Sequence, residues 1–175
     1  MNVPSRIPRM PVIVTLVPAI VATLFLALPT CMSTQSDVMQ IPATDFILEG
    51  LDGNTVRLSD LRGESVFLNF WATWCGPCLK EMPDIQKIHE GYRDQGVTVI
   101  GIDLDETVEV VSDFVEEGGF TWTFVIDHVG TVTREYRVDV IPTSFFIDGD
   151  GMIRAIAIGW MTEAMMEKNL AKAMQ

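Results

Sequence analysis

A dense apolar run of strand length, Ser65–Trp71 (SVFLNFW), is followed after three residues by a Cys-x-x-Cys pair, Cys75 and Cys78. This juxtaposition constrains the fold more than any other feature of the chain. Such a run suits a central strand buried on both faces. Beyond the pair, Leu79, Met82, Ile85 and Ile88 recur at three-residue spacing, which predicts an amphipathic helix from about Pro77 to Gln95. Pro83 falls inside that helix and predicts a kink. Gly96 fits the position after its C-terminus. The cysteines therefore lie where a buried strand hands over to a helix.

The segments on either side extend this pattern. Asp45–Glu49 and Thr55–Leu58 read as short strands joined by the turn Asp52-Gly53-Asn54. Ser59-Asp60-Leu61 starts one helical turn. Val97–Asp103 and Thr123–Asp127 read as buried strands. Between them Thr107–Glu117 is a helix with Val108, Val111 and Val115 on one face, ended by Gly118-Gly119. Thr131–Tyr136 is a short helix. Thr143–Asp148 and Met152–Ile158 form a hairpin about Gly149-Asp150-Gly151, and Thr162–Met174 is a closing helix with Thr162 as N-cap. Strands alternating with helices imply parallel pairing in the middle, and the last hairpin adds antiparallel strands. The expected class is α/β, a three-layer α/β/α sandwich with a mixed central sheet and an N-terminal β-hairpin.

The N-terminus is of a different kind. Arg6 and Arg9 precede an uncharged apolar stretch from Met10 to Met32. That is long enough to cross a bilayer, with the positive flank on the cytoplasmic side. Residues 1–32 are read as a membrane anchor or signal segment, residues 33–42 as a polar linker and residues 43–175 as the folded domain. An uncleaved anchor, lipidation at Cys31 in Leu28-Pro29-Thr30-Cys31, and signal cleavage remain open. All three put the domain outside the cytoplasm, in the periplasm or on the outer face of the membrane. The net charge of −12 repels phosphate backbones and argues against nucleic-acid partners.

Three cysteines cannot build a disulfide-stapled scaffold, so the pair is chemical rather than structural. Half of a zinc site would need further Cys or His ligands, and the two histidines, His89 and His128, are not in ligand spacing. At a helix N-terminus, unpaired N–H groups and the macrodipole favour a thiolate. Thiol pKa values in such settings fall to about 3.5–7.5. Pro77 suits the first turn, where no N–H donor is needed. Cys75, expected at an exposed tip, would attack a substrate disulfide. Cys78, one turn inside, would resolve the mixed disulfide.

The segment LNFWATWCGPCLKEMP resembles the thioredoxin superfamily, and within it the TlpA/ResA-like branch. The resemblance covers about residues 43–175. FILEGLDGNTVRLSDLRGESV is similar to that branch's N-terminal hairpin, and VIPTSFFIDGDGMI to the superfamily's cis-proline loop and hairpin. The resemblance implies that Ile141-Pro142 is the cis-proline site that binds substrate backbone beside the cysteines. It implies that Glu81 is an acid–base group near the thiols, and that Gly159 lies in a loop flanking the site. From the residues alone, an X-Pro bond is ordinarily trans, and Glu81 reads equally as an exposed acid in a helix's first turns. Asn69 stands where cytoplasmic thioredoxins carry a buried, proton-handling Asp. Asn cannot titrate, so Glu81 is the candidate for any proton relay. The client-binding face would comprise Trp74, Gly76, Pro77, Ile141, Pro142 and Gly159.

Trp71 is expected in the core and Trp74 at the surface. Asp103, Asp105 and Glu106 read as a solvated acidic loop rather than a metal site. Met161, Met165 and Met166 read as packing rather than copper ligands.

The leading functional expectation is a thiol-disulfide oxidoreductase that reduces disulfides of extracytoplasmic proteins. It would use no cofactor beyond a redox-active Cys75–Cys78 disulfide, and a membrane thiol donor would supply its electrons. The resemblance adds apocytochrome c, before haem attachment, as a client. A disulfide oxidase or isomerase using the same residues, and a copper-delivery protein, are the alternatives. A peroxidase is disfavoured because Cys75 follows Trp-Ala-Thr-Trp instead of a P-x-x-x-T-x-x-C context.

Overall fold

A computed structural model describes residues 41–175 of the chain. The expected anchor, Cys31 and most of the expected linker lie outside the described residues. Among the described residues, no helix is long and apolar enough to cross a membrane.

The domain is built on one eight-stranded mixed sheet. Its strands are β1 (Ile41–Pro42), β2 (Ile47–Gly50), β3 (Thr55–Arg57), β4 (Ser65–Trp71), β5 (Val97–Asp103), β6 (Thr123–Ile126), β7 (Thr143–Ile147) and β8 (Met152–Ile158). Their spatial order is β1-β8-β7-β4-β5-β6-β2-β3. All seven residues of β4 are buried. It pairs in parallel with β5, which pairs in parallel with β6, while on its other side β7 pairs antiparallel with it and β8 antiparallel with β7. The strand that the apolar run predicted is thus the centre of the sheet.

Four helices complete the fold: α1 (Gly76–Tyr92), α2 (Val108–Gly118), α3 (Thr131–Glu135) and α4 (Glu163–Ala173). On one face, Met82, Ile85 and Ile88 of α1, Val111 of α2, and Met166 and Leu170 of α4 pack on Phe67, Trp71, Val99, Phe124 and Phe146. Fully burying an aliphatic side chain of this size contributes about 1.5–3 kcal/mol. The other face is thinner. Val66, Leu68, Phe70, Ile100, Val125 and Phe145 are covered by Val132 of α3, Tyr136, Phe46 just before β2, and Leu58 of the 3-10 turn Leu58–Leu61.

Local chemistry explains the helix ends. Thr107 caps α2, its Oγ1 accepting the Val110 N–H at 3.4 Å. Gly96 and Gly119 take left-handed conformations at helix ends, which glycine adopts without steric cost. Pro83 does lie inside α1.

Two details differ from the sequence reading. Ile41 and Pro42, read as linker, pair with Ile153 and Met152 of β8. The expected β2–β3 hairpin is present, and β2 pairs antiparallel with β6, extending the sheet at that edge. Thr162 occupies the N-cap position of α4 but makes no side-chain cap bond.

Candidate active site

Cys75 is the N-cap of α1, and Cys75 and Cys78 form a disulfide with Cα atoms 5.2 Å apart. Its Sγ accepts the Cys78 N–H at 3.2 Å, satisfying one of the orphan donors of the first turn. Pro77 falls in that turn, as its missing N–H permits.

The expected exposed tip is not the sulfur itself. Cys75 is only 5% exposed and Cys78 1%, and both belong to the apolar cluster beneath α1. Their neighbours Gly76 and Pro77 are exposed, and Trp74 is 68% exposed. Backbone and indole are thus presented to solvent, with the disulfide seated just below them. Trp71 is buried, as expected for a core residue.

The Ile141–Pro142 bond is cis, and Pro142 is buried. Gly159, at φ +89°, donates its N–H to the Pro142 carbonyl at 2.8 Å, joining the two loops expected to flank the cysteines. Ile141 packs against both core clusters. Val140 and Trp160 on these loops, and Ile158 at the end of β8, are large exposed apolar groups. The Lys80 ammonium lies 3.4 Å from the centroid of the Trp160 ring, a cation–π contact that ties α1 to the Gly159 loop.

Glu81 is buried, which removes its reading as an exposed first-turn acid. It lies three residues beyond Cys78 on the same face of α1. Both its oxygens are partnered. Oε1 accepts from Asn69 Nδ2 at 2.9 Å, and Oε2 accepts the Met161 N–H at 2.7 Å. Asn69 Nδ2 also donates to Ser144 Oγ at 3.0 Å. Burial pushes the Glu81 carboxyl up to about 7, against the opposing pull of the Met161 and Asn69 bonds. A group with that value exchanges protons near neutral pH. Asn69, which cannot titrate, orients one that can.

The reading of the acidic cluster as solvated holds for Asp105, which is exposed, but not for its neighbours: Asp103, the last residue of β5, is buried, and Glu106 lies only partly open to solvent. The Glu106 carboxylate crosses to the loop before Cys75 and accepts from both the N–H and the hydroxyl of Thr73, each at 2.6 Å. Ser144 and the backbone of Met161 were likewise invisible to sequence reasoning. Ser144 meets Asn69 only through the β4–β7 register. Among the described residues, no three His, Cys, Asp or Glu side chains come together in a way that could hold a metal ion. Met161 and Met166 are buried packing residues, and Met165 is exposed.

Comparison with known proteins agrees with this geometry. The AhpC/TSA family model matches residues 39–156. The thiol-disulfide oxidoreductase ResA of Geobacillus kaustophilus is 42% identical over 128 residues, covering 73% of this chain and 74% of that protein. Among solved structures, a Chlorobium tepidum protein described as a thiol:disulfide interchange protein DsbE matches with a TM-score of 0.73 at 32% identity, covering 78% of this chain and 97% of the other. StoA from Bacillus subtilis matches with a TM-score of 0.64 at 29% identity, covering 72% and 96%. With a cysteine pair at a strand-to-helix junction, a cis-proline loop and relatives of this kind, the chain belongs to the AhpC/TSA family, in its thioredoxin-like branch of thiol-disulfide oxidoreductases.

Proposed function

We propose that this oxidoreductase works as a reductase of disulfides in proteins outside the cytoplasm. Residues 1–32 would hold it to the membrane, where a thiol donor re-reduces it. The observation that carries the reducing direction is the packing of both cysteines in an apolar cluster, with a buried carboxyl one turn beyond. Burial disfavours a charged thiolate and works against the helix N-terminus, which favours one. A strong oxidant needs the opposite, a stabilised reduced form. The Gly-Pro spacer points the same way.

The step balances as a two-electron exchange. The Cys75 thiolate attacks one sulfur of the client disulfide and expels the other as a thiolate. Cys78 then attacks Cys75 within the mixed disulfide, closing the Cys75–Cys78 bond and releasing the client dithiol. Glu81, partly ionised near neutral pH, takes the Cys78 proton as that thiol becomes a nucleophile. Trp74, Gly76, Pro77, Ile141, Pro142 and Gly159 form the client face. The resemblance to the ResA-like branch supports apocytochrome c thiols as one client class.

The test is the reduction potential of the purified protein, equilibrated in graded thiol–disulfide buffers and read by Trp fluorescence. The expected value is near that of thioredoxin, about −270 mV, and a value near about −120 mV would reverse the direction to oxidation.

A further inference from the structure

The loop that presents Cys75 is held from outside its own segment. Residues Ala72–Cys75 form a turn closed by the Cys75 N–H on the Ala72 carbonyl at 3.1 Å. The β5–α2 loop is bound to the start of this turn at three points. Leu104 N–H donates to the Trp71 carbonyl at 3.2 Å, and Glu106 accepts both donors of Thr73. Glu106 is itself seated, because Asp103 Oδ1 accepts its N–H at 3.0 Å. Asp105 takes φ +61°, an unusual conformation for a residue with a side chain, in the loop that carries Glu106 across. Asp103 Oδ2 is buried with no hydrogen-bond partner. An ionised carboxylate would be costly there, so burial favours the protonated form of Asp103. Burial beside Glu106 and Asp105 pushes the Asp103 carboxyl up to about 8.

We propose that Glu106, seated by Asp103, is a positioning residue that clamps the Thr73–Trp74 turn and thereby sets the approach of a client disulfide to Cys75. Glu106 needs no contact with the reacting sulfurs. It holds the N–H and hydroxyl of the residue two before the nucleophile, and with them the orientation of the exposed Trp74. The inference rests on Cys75 being the attacking thiol.

The test is a double-mutant cycle on rate. Reduced full-length protein is mixed with insulin as the disulfide probe, and kcat/KM is measured for the wild type, Glu106→Ala, Thr73→Val, the double variant and Thr73→Ser. Glu106→Ala should lower kcat/KM about tenfold and leave the reduction potential unchanged, since Glu106 bonds Thr73 and Asp103 and neither sulfur. Thr73→Val, which loses one of the two donors, should lower it about threefold. In the Glu106→Ala background Thr73→Val should have no further effect, whereas Thr73→Ser alone, which keeps both donors, should retain the wild-type rate. Additive losses, or an unchanged rate for Glu106→Ala, overturn the clamp. If Glu106→Ala does not fold by circular dichroism, Glu106→Gln takes its place in the cycle with a smaller expected loss. Cys75→Ser is the separate control: exchange persisting in that variant would overturn the dithiol reading itself, whatever Glu106 does.

Discussion

Two buried carboxyls flank the redox segment, and they are partnered in opposite ways. Glu81 lies a turn beyond Cys78, with both oxygens accepting hydrogen bonds. Asp103 lies at the end of β5, in register with Trp71, with one oxygen bonded and the other orphaned. Burial pushes each far above the ordinary carboxylate range, to about 7 and about 8 respectively. Bonds from Met161 and Asn69 stabilise the ionised form of Glu81 and bring it back to neutrality. Asp103 has one such bond, and its other neighbours are the acids Glu106 and Asp105, which hold its proton in place. Burial brings both carboxyls into the neutral range, so the difference that matters is position: Glu81 lies a turn beyond Cys78 with donors on both oxygens, whereas Asp103 bonds the loop that reaches Thr73.

The largest effect should come from Glu81→Gln. A gln side chain keeps the size but cannot titrate, so the exchange rate at pH 7 should fall on the order of a hundredfold, the lower range of general acid–base effects. The pH–rate profile should also lose its inflection near 7. Stopped-flow fluorescence with insulin measures both, and an unchanged profile would leave Glu81 no different in kind from Asp103.

Asp103→Asn sharpens the comparison from the other side. The folded pKa is raised, so the folded protein binds a proton that the unfolded chain has released between about pH 3.8 and 8. The slope of unfolding free energy with pH from this group is therefore negative in that window, and the wild type loses stability as pH rises through it. The Asn variant has no proton to lose. It should gain on the wild type by on the order of 4 kcal/mol between pH 5 and pH 9, read from urea denaturation at the two values. A constant gap across that range would mean that Asp103 does not hold its proton.

The smallest effect concerns Asn69. Its bond favours the charged form of Glu81, so Asn69→Ala should move the Glu81 inflection upward, by about half a unit to one unit. Carbon-13 NMR of the carboxyl, titrated from pH 5 to 9, would read that shift. Movement in the opposite direction would show that the bond stabilises the protonated form instead.

Much of the fold was legible because it rests on periodicity. The β4, β5 and β8 boundaries of the sequence reading coincide with the observed strands. The helix after the cysteines needed only a change at its ends, where Gly76 opens it and a 3-10 turn over Arg93–Gln95 closes it. The edges were less legible. Ile41–Pro42 is too short to carry a period, and its pairing depends on where β8 runs. The β2–β3 hairpin signalled itself through Asp52-Gly53-Asn54, but nothing local said that β2 would pair with β6.

By itself, the sequence determined the central strand, the helix, and the placement of Cys75 and Cys78 at their junction. Those are properties of neighbouring residues, governed by spacing, turn chemistry and the helix N-terminus. Only the tertiary structure decided how protons and geometry are managed around that pair. Glu81 meets Met161 across 80 positions, Asn69 meets Ser144 across 75, and Glu106 meets Thr73 across 33. The charge state of a carboxyl depends on burial and on partners that the sheet register and helix packing bring together, and no local pattern in the chain encodes either.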